Sequence, residues 1–178
     1  VSDKLRFRNP HYFAAGATRF GTDAKGAYEY EGKEYVGFFD HAAEANNCTD
    51  CHGAHSLEVK WDTCTECHNE VQTKEDIFAI RYNLDDWDGD GDTEESANDE
   101  LMGMREVLYA AIQAYAKDKA GAALVYTGDA NPYFFIDTND NGEVDADEVN
   151  GDNRYATWTP RLLRAAYNYQ YSGKDPGA

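Results

Sequence analysis

The chain has 178 residues, of which 42% are apolar, and its 34 acidic and 16 basic side chains give a formal net charge of -18. This charge disfavours a nucleic-acid partner, because phosphates would be repelled at long range. No apolar run approaches the roughly 18 residues that a membrane span needs, and the length suits one domain or a small module joined to a second lobe.

The first 26 residues are rich in glycine, alanine and aromatic side chains and show no clear periodicity. They predict an irregular arm that wraps around another part of the molecule. The segment 28–36 alternates polar and apolar residues around Glu31 and Gly32, a pattern typical of a short β-hairpin.

All four cysteines lie in two copies of the pattern Cys-x-x-Cys-His. The pattern is the attachment signature of c-type haem, in which two thiols one helical turn apart bond one porphyrin and the next imidazole faces its iron. The covalent positions are Cys48, Cys51, Cys64 and Cys67, and the proximal ligands are His52 and His68. Two motifs predict two haems, and a haem face is the natural surface for the N-terminal arm to cover.

A zinc ribbon is the main alternative, because the cysteines also form two Cys-x-x-Cys pairs separated by twelve residues. Zinc bound by four thiolates does not explain a histidine directly after both pairs, and paired disulfides do not explain it either. Haem of this type is attached outside the cytoplasm. We therefore expect a periplasmic, cell-surface or extracellular protein whose signal peptide, absent from this sequence, has been removed.

Each iron needs a second axial ligand, and three further histidines are candidates. His41 lies just before the first motif and is the preferred distal ligand of one haem. His55 is tied to its own motif but lies close enough in sequence to reach the second haem, while His11 lies on the N-terminal arm. Three candidates for two positions leave one over. The surplus histidine either hydrogen-bonds near a site or ligates a haem of a neighbouring chain, and we expect His11 to be that exchanged ligand.

Much of the acidity is concentrated in two loops, 85–100 and 137–152. A helix over about 69–82 is predicted to lead into the first loop, which matches positions 1, 3, 5 and 6 of the EF-hand calcium loop. Its candidate ligands are Asp86, Asp88, Asp90, Asp92 and Glu94. Ala97 stands at position 12 and cannot ligate, so the closing oxygens must come from Asp99, Glu100 or water.

The second loop, residues 137–148, matches the EF-hand pattern at every diagnostic position. Gly142 provides the turn at position 6, and Glu143 offers its backbone carbonyl. The candidate calcium ligands are Asp137, Asn139, Asn141, Glu143, Asp145 and Glu148. The two loops together predict one to two calcium ions.

Two longer helices are predicted around these loops. Leu101, Met104, Leu108 and Ile112 recur at three- and four-residue intervals and predict an amphipathic helix over about 98–119. Thr159 and Pro160 are the N-cap and first residue of another helix. The tyrosines that follow in this helix, and the tryptophan before it, are predicted to pack in a core: Trp158, Tyr167, Tyr169 and Tyr171.

The predicted fold is mainly α with little β. We expect an N-terminal arm, a hairpin and a small dihaem module over 1–70, with a helical calcium-binding lobe over 71–178 packed on it.

Several segments, RNPHYFAAG, CTDCHGAHSLEV, DWDGDGD, WTPRLLRAAYNYQ and KDPGA, together resemble the C-terminal part of extracytoplasmic multihaem c-type cytochromes. The resemblance implies bis-histidine haems in close array, used in respiratory or extracellular electron transfer with other cytochrome subunits or redox proteins. Members of this family carry further haem motifs upstream and continue past KDPGA. The chain is accordingly a complete subunit, a processed product or one domain of something longer.

Bis-histidine ligation predicts electron transfer, because an iron with both axial positions filled does not readily bind a substrate. The twelve-residue spacing limits the separation of the motifs to about 40 Å, and a compact fold brings the haems closer. The alternative is a dihaem enzyme, such as a peroxidase or an oxyanion reductase, with one exchangeable axial site. A calcium-dependent structural module in which haem is secondary is a further alternative.

Overall fold

The computed structural model describes residues 1–10, 14–41, 45–81 and 84–174. The helices are α1 (Ala14–Phe20), α2 (Cys48–Cys51), α3 (Trp61–Thr65), α4 (Lys74–Phe78), α5 (Ala97–Tyr115) and α6 (Pro160–Ser172). Strands β1 (Leu124–Tyr126) and β2 (Phe134–Ile136) form an antiparallel pair in which Val125 lies opposite Phe135. The prediction of a mainly α fold with little β is confirmed. Within the described ranges, no helix combines the length and apolar character of a bilayer span.

The core lies in the C-terminal half, where α5 and α6 pack together beside the two strands. It is formed by buried side chains from all four elements and the segments between them: Ile112, Ala116, Leu124, Phe134, Tyr155, Trp158, Leu162 and Ala166. Both predicted long helices are confirmed. α6 begins where expected because the hydroxyl of Thr159 accepts a hydrogen bond from the Leu162 amide at 3.1 Å, while α5 continues into a π-helical turn, Ala116–Ala120, that ends at Gly121.

Met104 lies on the predicted apolar face of α5 but is 37% exposed. The start of α5 lies against the first acidic loop. A Cβ atom on Gly103 would stand only 1.7 Å from the Asp88 carboxylate, so glycine is required for this close approach. Met104, the next residue, lies at the surface and is not part of the core.

The predicted hairpin over 28–36 is also wrong. A turn does form there, with Gly32 at a φ of 77° and the Lys33 amide donating to the Tyr30 carbonyl at 3.2 Å. The flanking segments do not pair as strands. Instead, the backbone N–H and C=O of Tyr28 bond the side-chain amide of Asn168 in α6, at 2.7 and 2.9 Å. These bonds replace a cross-strand ladder.

The helix predicted over 69–82 is much shorter in the structure, where α4 spans five residues. The Asp76 carboxylate accepts the backbone N–H groups of Gln72 and Thr73 at 2.8 and 2.7 Å. This cap starts the helix at Lys74, several residues after the second cysteine motif.

The first ten residues pack on the C-terminal core, as expected of an arm that wraps around another part of the molecule. The Ser2 amide donates to the Trp158 carbonyl at 3.1 Å. The ring of Phe7 lies 4.7 Å from that of Phe134 and stacks at 5.9 Å on Trp158. Apolar contact between Phe7 and these buried rings explains this placement. His11 and residues 175–178 lie outside the described ranges.

We expect Phe7→Ala to lower the free energy of unfolding by about 2 kcal/mol, since Phe7 is partly buried and a fully buried Phe loses more. Denaturant unfolding followed by tryptophan fluorescence measures this change. Val107→Ala is the control, because Val107 is 61% exposed on α5 and should change stability by less than about 0.5 kcal/mol. Equal effects of the two substitutions would contradict the docking of this segment.

Candidate haem and cation sites

The first cysteine motif is held by a short helix and its cap. The Asn47 amide donates to the Asp50 carboxylate at 2.8 Å, which fixes the start of α2. At the other end, the His52 amide donates to the Cys48 carbonyl at 2.8 Å. One helical turn therefore separates the two thiols, and the imidazole follows directly after the turn.

The second motif repeats the same backbone bond. The His68 amide donates to the Cys64 carbonyl at 2.8 Å, and the Cys67 amide donates to the same carbonyl at 3.2 Å. Here α3 ends at Thr65, inside the motif, and the turn that follows presents Cys67 and His68. The two motifs thus present two thiols and one imidazole in the same order and with the same local hydrogen bond.

The segment between the motifs folds back on itself and brings them together. His52 and Val59 form an antiparallel bridge, and the Lys60 amide donates to the Cys51 carbonyl at 2.8 Å. α2 packs against α3. Burial, with a smaller effect of the neighbouring Cys51 thiol, raises the pKa of Cys64. The two cysteine motifs are therefore adjacent, and their separation is well within the limit of about 40 Å that the linker sets.

The four thiols are free. Among the described residues, the clusters of three ligand atoms within 4.8 Å of one another both lie in the first acidic loop, and neither includes a cysteine.

The imidazole of each motif has an acceptor near its Nδ1 atom. Nδ1 of His52 donates to the Leu57 carbonyl at 3.0 Å. Nδ1 of His68 lies 3.5 Å from Oε1 of Glu70. When Nδ1 carries the proton and meets an acceptor, Nε2 is left unprotonated and available to a metal. The residues of both motifs therefore fit a haem iron, with the thiols one turn away for attachment.

A second imidazole lies close to the histidine of the second motif. The rings of His41 and His68 have their centroids 6.5 Å apart, with the planes tilted by 55°. An iron between two Nε2 atoms, with metal–nitrogen bonds of about 2 Å, separates the ring centroids by about 6 Å. The observed spacing fits a single iron between these two rings. His55, by contrast, lies exposed in the turn between His52 and Val59.

The two acidic loops share one backbone conformation over their first half. At position 1, Asp86 accepts the amides of Gly89 and Gly91, and Asp137 accepts those of Asp140 and Gly142. At position 6, Gly91 and Gly142 have φ angles of 96° and 80°. Positions 3 and 5 also correspond, since each of these side chains accepts the amide two residues ahead: Asp88, Asp90, Asn139 and Asn141. The two loops therefore agree with each other in geometry at positions 1, 3, 5 and 6.

The loops differ in how they end, but a carboxylate occupies the same place in both. In the second loop, Oε1 of Glu148 accepts the amide of Thr138, the position 2 residue, at 2.6 Å. In the first loop, Oε2 of Glu100 accepts the amide of Trp87, again at position 2, at 2.8 Å. Glu148 is 2% exposed and Glu100 is fully buried. Glu100 therefore makes the bond in the first loop that Glu148, at position 12, makes in the second, whereas Ala97 holds position 12 of the first loop.

Carboxylates crowd the first loop. Oxygen atoms of Asp86, Asp88 and Glu100 lie within 4.8 Å of one another, and so do those of Asp88, Asp90 and Glu95. Burial and the charges of Asp90 and Asp88 raise the pKa of Glu95. Glu95, which the loop consensus does not select, thus joins this group.

The remaining predicted ligands are placed differently. Glu94 is exposed, and its amide bonds the Asp92 side chain at 2.9 Å. In the second loop, the Asp145 carboxylate accepts the side-chain amides of Asn139 and Asn141 at 2.7 and 2.9 Å. Positions 3, 5 and 9 of that loop therefore converge, while Glu143 has its side chain in solvent.

Arg81 binds Glu100, the carboxylate that also accepts the Trp87 amide. Its guanidinium contacts Oε1 of Glu100 at 2.8 Å, and the two side chains are 8% and 0% exposed. It also donates to the carbonyls of Asp85 and Glu95, each at 2.6 Å. One buried guanidinium therefore bonds residues at both ends of the loop.

We expect Glu100→Ala to lower the free energy of unfolding in calcium-free buffer by about 3 kcal/mol, because Arg81 then keeps a buried charge without its carboxylate. Urea denaturation measures this loss. Glu94→Ala is the control, since it removes one exposed carboxylate of the same loop and should cost less than about 0.5 kcal/mol. Losses of the same size in both variants would show that Glu100 has no special structural role.

No family model and no solved structure match the chain. It is 26% identical to the C-type polyheme cytochrome OmcC of Geobacter sulfurreducens, over 97% of its own length. It is 29% identical to the C-type polyheme cytochrome OmcB of the same species, again over 97% of its length. The chain spans about a quarter of the length of these curated relatives. The similarity over nearly the whole chain supports a relationship to the multihaem c-type cytochromes.

Proposed function

We propose that the chain carries two covalent c-type haems and passes single electrons between them. The observation that carries the proposal is the spacing of His41 and His68, whose ring centroids lie 6.5 Å apart, as two imidazoles on one iron would. The repeated turn of the cysteine motifs and the similarity to polyhaem cytochromes support it.

The chain's own residues would hold and isolate the haems. Cys48 and Cys51 would bind the first porphyrin, and Cys64 and Cys67 the second, through thioether bonds. When bound, each haem supplies a one-electron iron couple. His41 and His68 would occupy both faces of the second iron, which excludes other ligands and favours electron transfer over catalysis. The adjacency of the motifs would keep the two haems close.

His52 and one further imidazole would hold the first iron. His55 is tied to the motif of His52, so we propose that His11 of a neighbouring chain is the second ligand, and that this chain's own His11 would serve a haem of another chain or of a longer protein in the same way. This would make the chain a subunit of an extracytoplasmic cytochrome polymer or of a larger multihaem assembly. Other cytochrome subunits or redox proteins would be its electron-transfer partners.

We expect His41→Ala to convert one of the two haems from low-spin to high-spin, because its iron loses one axial imidazole. Carbon monoxide should then bind one haem per reduced chain, which visible spectroscopy and gas titration measure. Asp40→Ala is the matched control, since it changes the exposed neighbouring residue and should leave both haems low-spin.

Two low-spin haems in His41→Ala would contradict the assignment of His41. Strong carbon monoxide binding by the unaltered chain would instead favour the dihaem enzyme, with one exchangeable axial position at the first iron.

We also propose that the two acidic loops bind calcium. The second loop would use the residues selected from its sequence, with Glu148 closing the site. The first would use Asp86, Asp88 and Asp90, and Glu100 would close it in place of Ala97. Support comes from the matching hydrogen bonds at positions 1, 3 and 5 and from the equivalent bonds of Glu100 and Glu148. Crowded carboxylates of one charge also favour a cation.

We expect Glu148→Gln to weaken calcium binding at one site by about tenfold or more, because a bidentate carboxylate becomes an amide. Isothermal titration calorimetry measures the affinity and the number of sites. Glu143→Gln is the matched control: Glu143 would contribute only its backbone carbonyl, so binding should not change. Equal affinities in both variants would show that the second loop does not bind calcium in this way.

A further inference from the structure

We propose that the two haems differ in reduction potential, with the second haem lower, and that Glu70 is a main cause of the difference. The inference rests on the proposed function, because it concerns how this chain's residues act on two bound haems. It assigns to Glu70 the part of a positioning residue that acts on the iron through His68.

A tight turn brings Glu70 back to the imidazole. The Val71 amide donates to the His68 carbonyl at 3.0 Å, so Asn69 and Glu70 are the central residues of a four-residue turn. Val71 is fully buried, which anchors the end of the turn. Oε1 of Glu70 then lies 3.5 Å from Nδ1 of His68. The carboxylate therefore faces the nitrogen that would carry the proton when Nε2 binds iron.

The first motif meets a neutral acceptor at the same place. Nδ1 of His52 donates to the Leu57 carbonyl at 3.0 Å. That carbonyl is fixed, because the Leu57 amide donates to the Gly53 carbonyl at 2.9 Å and the Gly53 amide to the Glu58 carbonyl at 2.8 Å. One proximal imidazole thus contacts a peptide dipole and the other a full negative charge.

This difference has a defined direction. A carboxylate near Nδ1 increases the electron density on the imidazole and stabilises the more positive, oxidised iron. A neutral carbonyl does so less. The second haem should therefore be harder to reduce than the first. Glu70 is 66% exposed in its side chain, so water screens the effect and the shift is moderate.

One other charge near the motifs acts in the same direction. The ammonium group of Lys60 donates to the Thr49 carbonyl at 2.6 Å, inside the first motif, and a positive charge there favours the reduced form of the first haem. Glu66 of the second motif has its counterpart in Asp50 of the first, so these two carboxylates do not distinguish the haems. A single electron placed on the chain should therefore reside mainly on the first haem.

The test is a spectroelectrochemical titration of the full chain with both haems bound, in which His41→Ala identifies the second haem by its high-spin spectrum. We expect two midpoint potentials, the lower belonging to the second haem. Glu70→Gln should raise that potential alone. The equilibrium constant for sharing an electron between the haems should fall by about twofold to fivefold, as expected for an exposed ion pair.

Two variants separate the contact from general charge. Glu66→Gln removes the exposed carboxylate two positions before His68, whereas Glu70 lies two positions after it. Glu66→Gln should shift the potential of the second haem less than Glu70→Gln does. Glu70→Asp keeps the charge and should restore most of the difference. Neither variant should change the low-spin spectra of the two haems.

The inference is overturned if the lower potential belongs to the first haem, or if Glu70→Gln shifts neither potential, both equally or no more than Glu66→Gln. These results leave two low-spin haems in place. A chain that does not hold two covalent low-spin haems would instead overturn the proposed function, so the two failures are distinguishable.

Discussion

One backbone hydrogen bond, made twice, determines the geometry of both cysteine motifs. In each, the amide of the histidine donates to the carbonyl of the first cysteine, at 2.8 Å. The bond closes one helical turn, which sets the separation of the two thiols and the direction of the imidazole. The contacts of His52 and His68 with Leu57 and Glu70 depend on that direction. So does the approach of His41, which arrives from a separate segment of the chain.

A second constraint is the concentration of negative charge. The loop around Asp86 and Asp88 could not bring so many carboxylates together without compensation. Part of the compensation is internal, because the carboxylates accept backbone amides and Arg81 pairs with Glu100 in a buried contact. Arg81 follows α4, which itself follows the second cysteine motif. The first loop therefore begins a short distance in sequence after the segment that presents His68.

The aromatic residues stabilise the other half of the molecule. Trp158 contacts Phe7, Phe134 and Tyr155 through their rings, so that the start of the chain is joined to a core built mainly from residues after 108. Burial raises the pKa of Tyr109 and of Tyr155 to about 12, which keeps both hydroxyls protonated at neutral pH. These side chains act as packing and hydrogen-bonding groups.

The sequence by itself determined what depends on neighbouring residues: the two Cys-x-x-Cys-His turns, positions 1, 3, 5 and 6 of both loops, and the helices that begin at Ala97 and Pro160. These patterns are local, so spacing and capping predict them. Only the tertiary structure decided which partner each segment meets. The ring of His41 lies beside that of His68, Glu100 accepts the Trp87 amide, and the backbone of Tyr28 bonds Asn168 in place of a hairpin partner. These contacts join residues with no fixed spacing in sequence, because they depend on how the chain folds back and buries its groups.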